Sequence, residues 1–197
     1  MSLTARLAAA VAEANELKSK LVAEQAEEVA RAARLLAGAL AGGGKILLFG
    51  NGGSAADAQH LAAEFVNRFQ IERPPLAALA LTTDTSILTS ISNDYDFLEV
   101  FAKQVKALGR PGDVAVGLST SGNSANVVQA LEVARQMGLK TLALSGGDGG
   151  PVARAAELAV VVHSRSTPRI QEVHITIGHV LCDLVDFLLF PDKFSRE

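Results

Sequence analysis

The chain is 197 residues long and 49% apolar, with 18 Lys and Arg against 21 Asp and Glu, a formal net charge of −3. That is enough for one well-buried domain, residues 1–197, and short for two. No positive field and no Lys/Arg run favours nucleic acid, and no apolar run approaches the ~20 residues that span a bilayer. The start lacks the charge-then-apolar pattern of a secretion signal, and the one cysteine, Cys182, has no partner for an internal disulfide. A cytoplasmic protein with Cys182 as a small core residue is the expectation.

Residues 1–41 read as N-terminal helices, rich in Ala, Leu, Glu and Lys, with Leu7, Val11, Leu17, Leu21, Val29, Leu36 and Leu40 at broadly helical spacing. Two helices are expected, broken near Lys18 to Ala23. Packing on another subunit and packing on the same chain are both open uses for so apolar a segment. Gly42-Gly43-Gly44 ends the second helix.

From 45 to 190 short apolar runs alternate with helical segments. The runs are Lys45 to Phe49, Leu76 to Leu81, Val114 to Ser119, Thr141 to Ser145 and Leu158 to His163. Helices are expected over Ser54 to Phe69, parts of Ser86 to Leu108, Ser124 to Met137, a short piece near Pro151 to Ala156, and Arg169 to Phe190. This order is that of an α/β doubly wound fold, a five-stranded parallel sheet with helices on both faces. Ligands in such sheets bind outside the carboxyl ends of the strands.

The loops at those ends are polar. After the first strand, Gly50, Gly52 and Gly53 allow a tight turn, Asn51 lies within it, and Ser54 starts a helix whose amides and dipole suit a phosphate. After the third, Ser119-Thr120-Ser121-Gly122-Asn123-Ser124 places four hydroxyls in six residues before a helix. Hydroxyls and helix N-terminal amides together saturate phosphate oxygens without a lysine. Neither loop is a Walker or dinucleotide fingerprint. Asp84 can cap a helix, Asn93-Asp94 is a common turn pair, and Gly146-Gly147-Asp148-Gly149-Gly150 is given no chemistry.

His60 and Glu64 are four apart on the helix that follows the first loop, and so share a face, with Arg68 one turn on. The last helix sets Gln171, His174 and His179 in an apolar stretch. His179 follows Gly178, a residue that costs a helix roughly 1 kcal/mol and marks close approach; His174 and His163 read as structural.

Gly50-Asn51-Gly52-Gly53-Ser54, Ser119-Thr120-Ser121-Gly122-Asn123-Ser124 and Arg169-Ile170-Gln171-Glu172-Val173-His174, in that order and spacing, resemble the sugar isomerase (SIS) domain family and, within it, the phosphoheptose isomerases. The likeness covers nearly the whole chain. It implies a flavodoxin-like SIS domain, a homotetramer with active sites shared between subunits, and interconversion of D-sedoheptulose 7-phosphate and D-glycero-D-manno-heptose 7-phosphate for lipopolysaccharide or other surface glycans. By the same resemblance Glu64 is the base and His179 the acid. Ser54, Ser119, Thr120, Ser121 and Ser124 hold the phosphate, while Asn51, Gly52, Gly53, Asn93, Asp94 and Gln171 contact the substrate. Some members carry zinc on residues matching His60, Glu64, Gln171 and His179.

Isomerisation through an enediol needs a carbon base and an oxygen acid, which a Glu and a His supply. Gln171 and His179, however, are eight apart, ~12 Å of rise and about 80° of rotation on a regular helix. The expectation is therefore that His179 completes a site whose Glu64 belongs to another subunit. A second reading comes from relatives that lack the Glu/His pair and act as tetrameric adaptors on the replication initiator protein. Segments 67–74 and 181–191 resemble that group, whereas Glu64 and His179 favour the isomerase. Thr167-Pro168, where some isomerases have an acidic residue, departs from the pattern.

Overall fold

A computed structural model describes residues 1–194; the last three residues of the expected 1–197 domain lie outside the described part. The elements are α1 (Leu3–Ala41), β1 (Ile46–Gly50), α2 (Gly53–Val66), β2 (Ala78–Ala80), α3 (Thr85–Asp94), α4 (Val100–Leu108), β3 (Val114–Ser119), α5 (Ala125–Gln136), β4 (Lys140–Gly146), α6 (Gly150–Ala155), β5 (Leu158–Val162) and α7 (Thr167–Leu189). Single 3-10 turns lie at Phe97–Glu99 and Pro191–Lys193. Among the described residues no helix is long and apolar enough to cross a membrane.

The sheet is parallel throughout, in the order β2-β1-β3-β4-β5. Alternation along each strand divides the core between its two faces. Ile46, Leu48, Val114, Val116, Leu118, Leu142 and Leu144 pack under α1, α2 and α7, while Leu47, Phe49, Ala115 and Ala143 pack under α4, α5 and α6. The central strands are therefore apolar on both sides, the signature of a sheet covered twice. The chain leaves β1 toward β2 and returns on the other side of β1 to form β3, which opens a crevice at their carboxyl ends.

Two expectations are corrected. Leu76 to Leu81 gives only the three-residue edge strand Ala78–Ala80; Leu76 N donates to Phe65 O at 3.1 Å, at the end of α2, and not to the ladder. The N-terminal segment α1 is, as expected, two helices, but they meet in a kink at Gln25 (φ −136°, ψ 18°) and not within 18–23. The cause is tertiary. The Gln25 side chain leaves the helix surface to meet the edge of β5, its Oε1 accepting from Val161 N at 2.8 Å and its Nε2 donating to Val161 O.

Candidate active site

The crevice is lined by the two loops that follow β1 and β3. They are joined by a reciprocal amide pair: Asn51 Nδ2 donates to Asn126 Oδ1, and Asn126 Nδ2 to Asn51 Oδ1, each at 2.9 Å. Asn126 is buried in the first turn of α5, so it fixes the β1 loop to the second helix N-terminus. In the β3 loop the Ser119 hydroxyl lies 2.9 Å from that of Ser124 and 3.4 Å from that of Ser121. The Ser121 hydroxyl accepts from Asn123 N at 3.1 Å. Ser54 and Ser119 are buried, whereas Ser121 is exposed and Thr120 and Ser124 half-buried. Hydroxyls and N-terminal amides of α2 and α5 thus converge on one crevice, a donor set for an anion.

The loop 146–150, given no chemistry in the sequence, is the floor of this arrangement. A Cβ on Gly146 would fall 2.1 Å from Thr120 O. Val152 N donates to Gly122 O at 3.0 Å, and the Ser145 hydroxyl donates to Gly149 O at 2.8 Å. The close backbone approach explains the glycine at 146.

The candidate acid–base groups lie along a seam where α2 and α7 run side by side. At its start Gln171 rests against Gly53, whose added Cβ would meet Gln171 Nε2 at 2.0 Å, and its amide lies near the Asp57 carboxylate. In the middle Gly178 faces Leu61, with room for no Cβ: the nearest Leu61 methyl would be 2.5 Å away. Beside it His60 Nε2 and His179 Nε2 lie 2.8 Å apart, so one ring donates and the other accepts. Glu64 Oε1 is 3.5 Å from the same His60 nitrogen. Phe69 stacks on the His179 ring at 5.5 Å between centroids. Further on, Cys182 is buried, its thiol pushed up to about 12 by burial and by the Glu64 and Asp186 charges.

His60, Glu64 and His179 therefore meet within one chain, which overturns the expectation that Glu64 reaches His179 from another subunit. The eight-residue spacing is resolved by level. Gln171 belongs to the start of the seam and His179 to its middle, and α2 supplies a partner at each. Asn93 and Asp94 are the exceptions among the sequence candidates. They lie exposed at the end of α3, where Asn93 Nδ2 bonds Asp94 Oδ1 at 2.9 Å, and no described contact carries them to the seam or the crevice. His174 is structural, as expected, and the exposed His163 donates from Nδ1 to Gly147 O at 3.0 Å. His174 is fully buried and donates from Nε2 to Ser145 O at 3.0 Å, and burial lowers its pKa to about 4.

Sequence reasoning missed Asp57. Burial pushes its carboxyl above the ordinary value, against the opposing influence of the Gln171 amide and the His60 and His179 rings, and its Oδ2 is buried with no hydrogen-bond partner. The available signal was its place three residues before His60, on the same helix face. Among the described residues no group of three or more His, Cys, Asp or Glu stands ready as a metal cage. By chemistry His60, Glu64 and His179 nonetheless suit zinc, with two imidazole nitrogens and a carboxylate, while the Gln171 amide stands nearer the start of the same seam. Two nitrogens at about 2.0–2.1 Å from a tetrahedral zinc stand about 3.3 Å apart, so the His60–His179 pair needs to open by about half an ångström.

The SIS domain model matches residues 11–146. A phosphoheptose isomerase of Desulfovibrio desulfuricans is 60% identical over 89% of this chain and 84% of its own length. The solved phosphoheptose isomerase of Neisseria gonorrhoeae is 48% identical with a TM-score of 0.88, and that of Francisella tularensis 36% identical with a TM-score of 0.90. Each alignment covers 94% of this chain and 99% of the other. With its parallel sheet, its hydroxyl-lined crevice and this degree of likeness, the chain belongs to the SIS domain family and, within it, to the phosphoheptose isomerases.

Proposed function

We propose that this isomerase interconverts D-sedoheptulose 7-phosphate and D-glycero-D-manno-heptose 7-phosphate, the first step toward the heptose of lipopolysaccharide or other surface glycans. One observation carries the reading: Glu64 and His179, from α2 and α7, flank His60 within hydrogen-bond or near-contact range. Ser54, Ser119, Thr120, Ser121 and Ser124 take the phosphate. Asn51, Gly52, Gly53 and Gln171 position the sugar chain, and Asn93 and Asp94 join them from α3.

In the ketose-to-aldose direction Glu64 removes a proton from C1 while protonated His179 gives one to O2. The C1–H electron pair becomes the C1=C2 bond and the carbonyl π pair becomes the O2–H bond, which yields an enediol. Glu64 then returns its proton to C2 as His179 takes the O1–H proton. The C1 aldehyde forms and both groups are restored. Zinc held by His60, Glu64 and His179, with Gln171 reaching from the start of the seam, would supply carbonyl polarisation in place of the His179 proton, since an imidazole nitrogen bound to the metal carries none.

The chain acts as a homotetramer in this reading. Support comes from the exposed Leu3, Leu7 and Val11 on one side of α1 and from the apolar groove of Leu21, Val22, Val180 and Leu184 between α1 and α7.

The test is turnover of sedoheptulose 7-phosphate. Glu64→Gln keeps the side-chain shape but accepts no proton, so kcat is expected to fall about 100-fold or more, with a similar loss for His179→Asn. Glu64→Gln retaining more than about a tenth of wild-type kcat refutes the base assignment. A wild-type protein that leaves the sugar unchanged and captures the replication initiator protein supports the adaptor reading instead.

A further inference from the structure

We infer that Arg73, clamped by Asp186, is a positioning residue for the general base; the inference rests on the reading of Glu64 given above. Arg73 lies in the loop after α2, seven residues past the last helical position, yet its side chain has no exposed surface. Its guanidinium folds back onto the end of that helix. Nη2 donates to Glu64 O at 3.0 Å, and Nη1 donates to Phe65 O at 2.7 Å and more weakly to Pro74 O and Asn67 O at 3.2 and 3.4 Å. Nε donates to Asp186 Oδ1 at 2.8 Å.

The last carbonyls of a helix have no partner within it, and they form the negative end of its dipole. A planar cation with several fixed donors satisfies both conditions. Glu64 is one of the residues whose carbonyl Arg73 holds, so the guanidinium fixes the peptide plane from which the base projects.

Asp186 gives the clamp its second function. It lies seven residues after His179 on α7 and therefore on the same face two turns along. A single guanidinium thus ties the backbone of Glu64 on α2 to the helix that carries His179. The set of distances between base and acid is braced at a point remote from the substrate.

A purely structural role for the pair predicts a loss of stability with catalysis intact in whatever remains folded. Two variants separate the cases. Arg73→Met/Asp186→Leu removes both charges together and keeps side-chain volume, so no unpaired buried charge is left. Arg73→Lys keeps the charge and loses the fork.

The folded fraction of each, measured by chemical denaturation, is assayed for kcat and KM with sedoheptulose 7-phosphate. The expected result is a kcat about 10- to 100-fold lower in the double variant, a smaller loss for Arg73→Lys, and KM changed less than about threefold, since misplacement of about 1 Å costs up to 100-fold while the phosphate crevice is untouched. A folded double variant or Arg73→Lys with wild-type kcat overturns the inference. If the double variant does not fold, Arg73→Lys decides alone. Should the wild-type protein not turn over this sugar, the functional reading falls, and a crystal structure of either variant then tests the brace: an unmoved Glu64 carboxylate relative to His60 overturns it.

Discussion

Replacing Gly178 with Ala tests whether the close contact of α2 and α7 sets the geometry of the reactive groups. In isolation this change favours a helix by about 1 kcal/mol. Here the new Cβ would lie 2.5 and 2.6 Å from the two Leu61 methyls. Carbon pairs rest at about 3.5–4.0 Å, so about 1 Å of separation is needed. Leu61 is buried beneath the same seam and has little room to turn. Overpacking of this kind costs about 1–3 kcal/mol, enough to cancel or exceed the propensity gain. The adjacent His60–His179 contact, now 2.8 Å, then widens beyond hydrogen-bond range, with kcat lower by up to about 100-fold. Adding Leu61→Val removes the clashing methyls and about the volume that the Ala adds, so Gly178→Ala/Leu61→Val recovers most of the activity. Turnover and urea unfolding are measured on all three proteins. A Gly178→Ala protein that is about 1 kcal/mol more stable and fully active refutes the reasoning, since propensity alone then governs the site.

Acid sensitivity follows from His174. Its folded pKa of about 4 lies below the ordinary 6.5, so the unfolded chain takes up the proton first. The stabilising contribution is complete above about pH 6.5 and fades as pH falls toward 4, a total of about 3 kcal/mol. Urea unfolding at pH 7 and pH 4.5 checks this, and a His174→Gln protein with the same pH slope as wild type would contradict it. For the metal, dialysis against a chelator is expected to lower kcat at least tenfold, with recovery on adding zinc and one zinc per chain by mass spectrometry of the native protein; unchanged turnover in metal-free protein would remove zinc from the reaction.

The fold was legible where a residue's environment is set by its neighbours in sequence. Val114–Ser119 reads as a strand because a run apolar on both faces has few alternatives at that length, and it forms over those same residues. The His60–Glu64 face follows from helical periodicity alone. What could not be read depends on partners far along the chain. Gln25 breaks its helix for a bond to Val161, Asn126 binds Asn51 across 75 residues, and Arg73 meets Asp186 across 113. An arginine after a helix reads as a solvated loop charge until the fold buries it. The eight-residue gap between Gln171 and His179 pointed to a second subunit only because the parallel course of α2, which offers each a partner at its own level, is a tertiary fact.

The Gln25 contact alters what the N-terminal helix is. A sheet edge offers unpaired N–H and C=O groups to any passing strand. At Val161 a single side-chain amide answers both groups, with its oxygen accepting and its nitrogen donating as a neighbouring peptide would. The long helix is therefore the sheet's outermost member at that point, and its kink is the shape required to hold the amide there. A chain shortened past residue 25 would lose more than helical surface: the outer rim of β5 would become a template for pairing between copies.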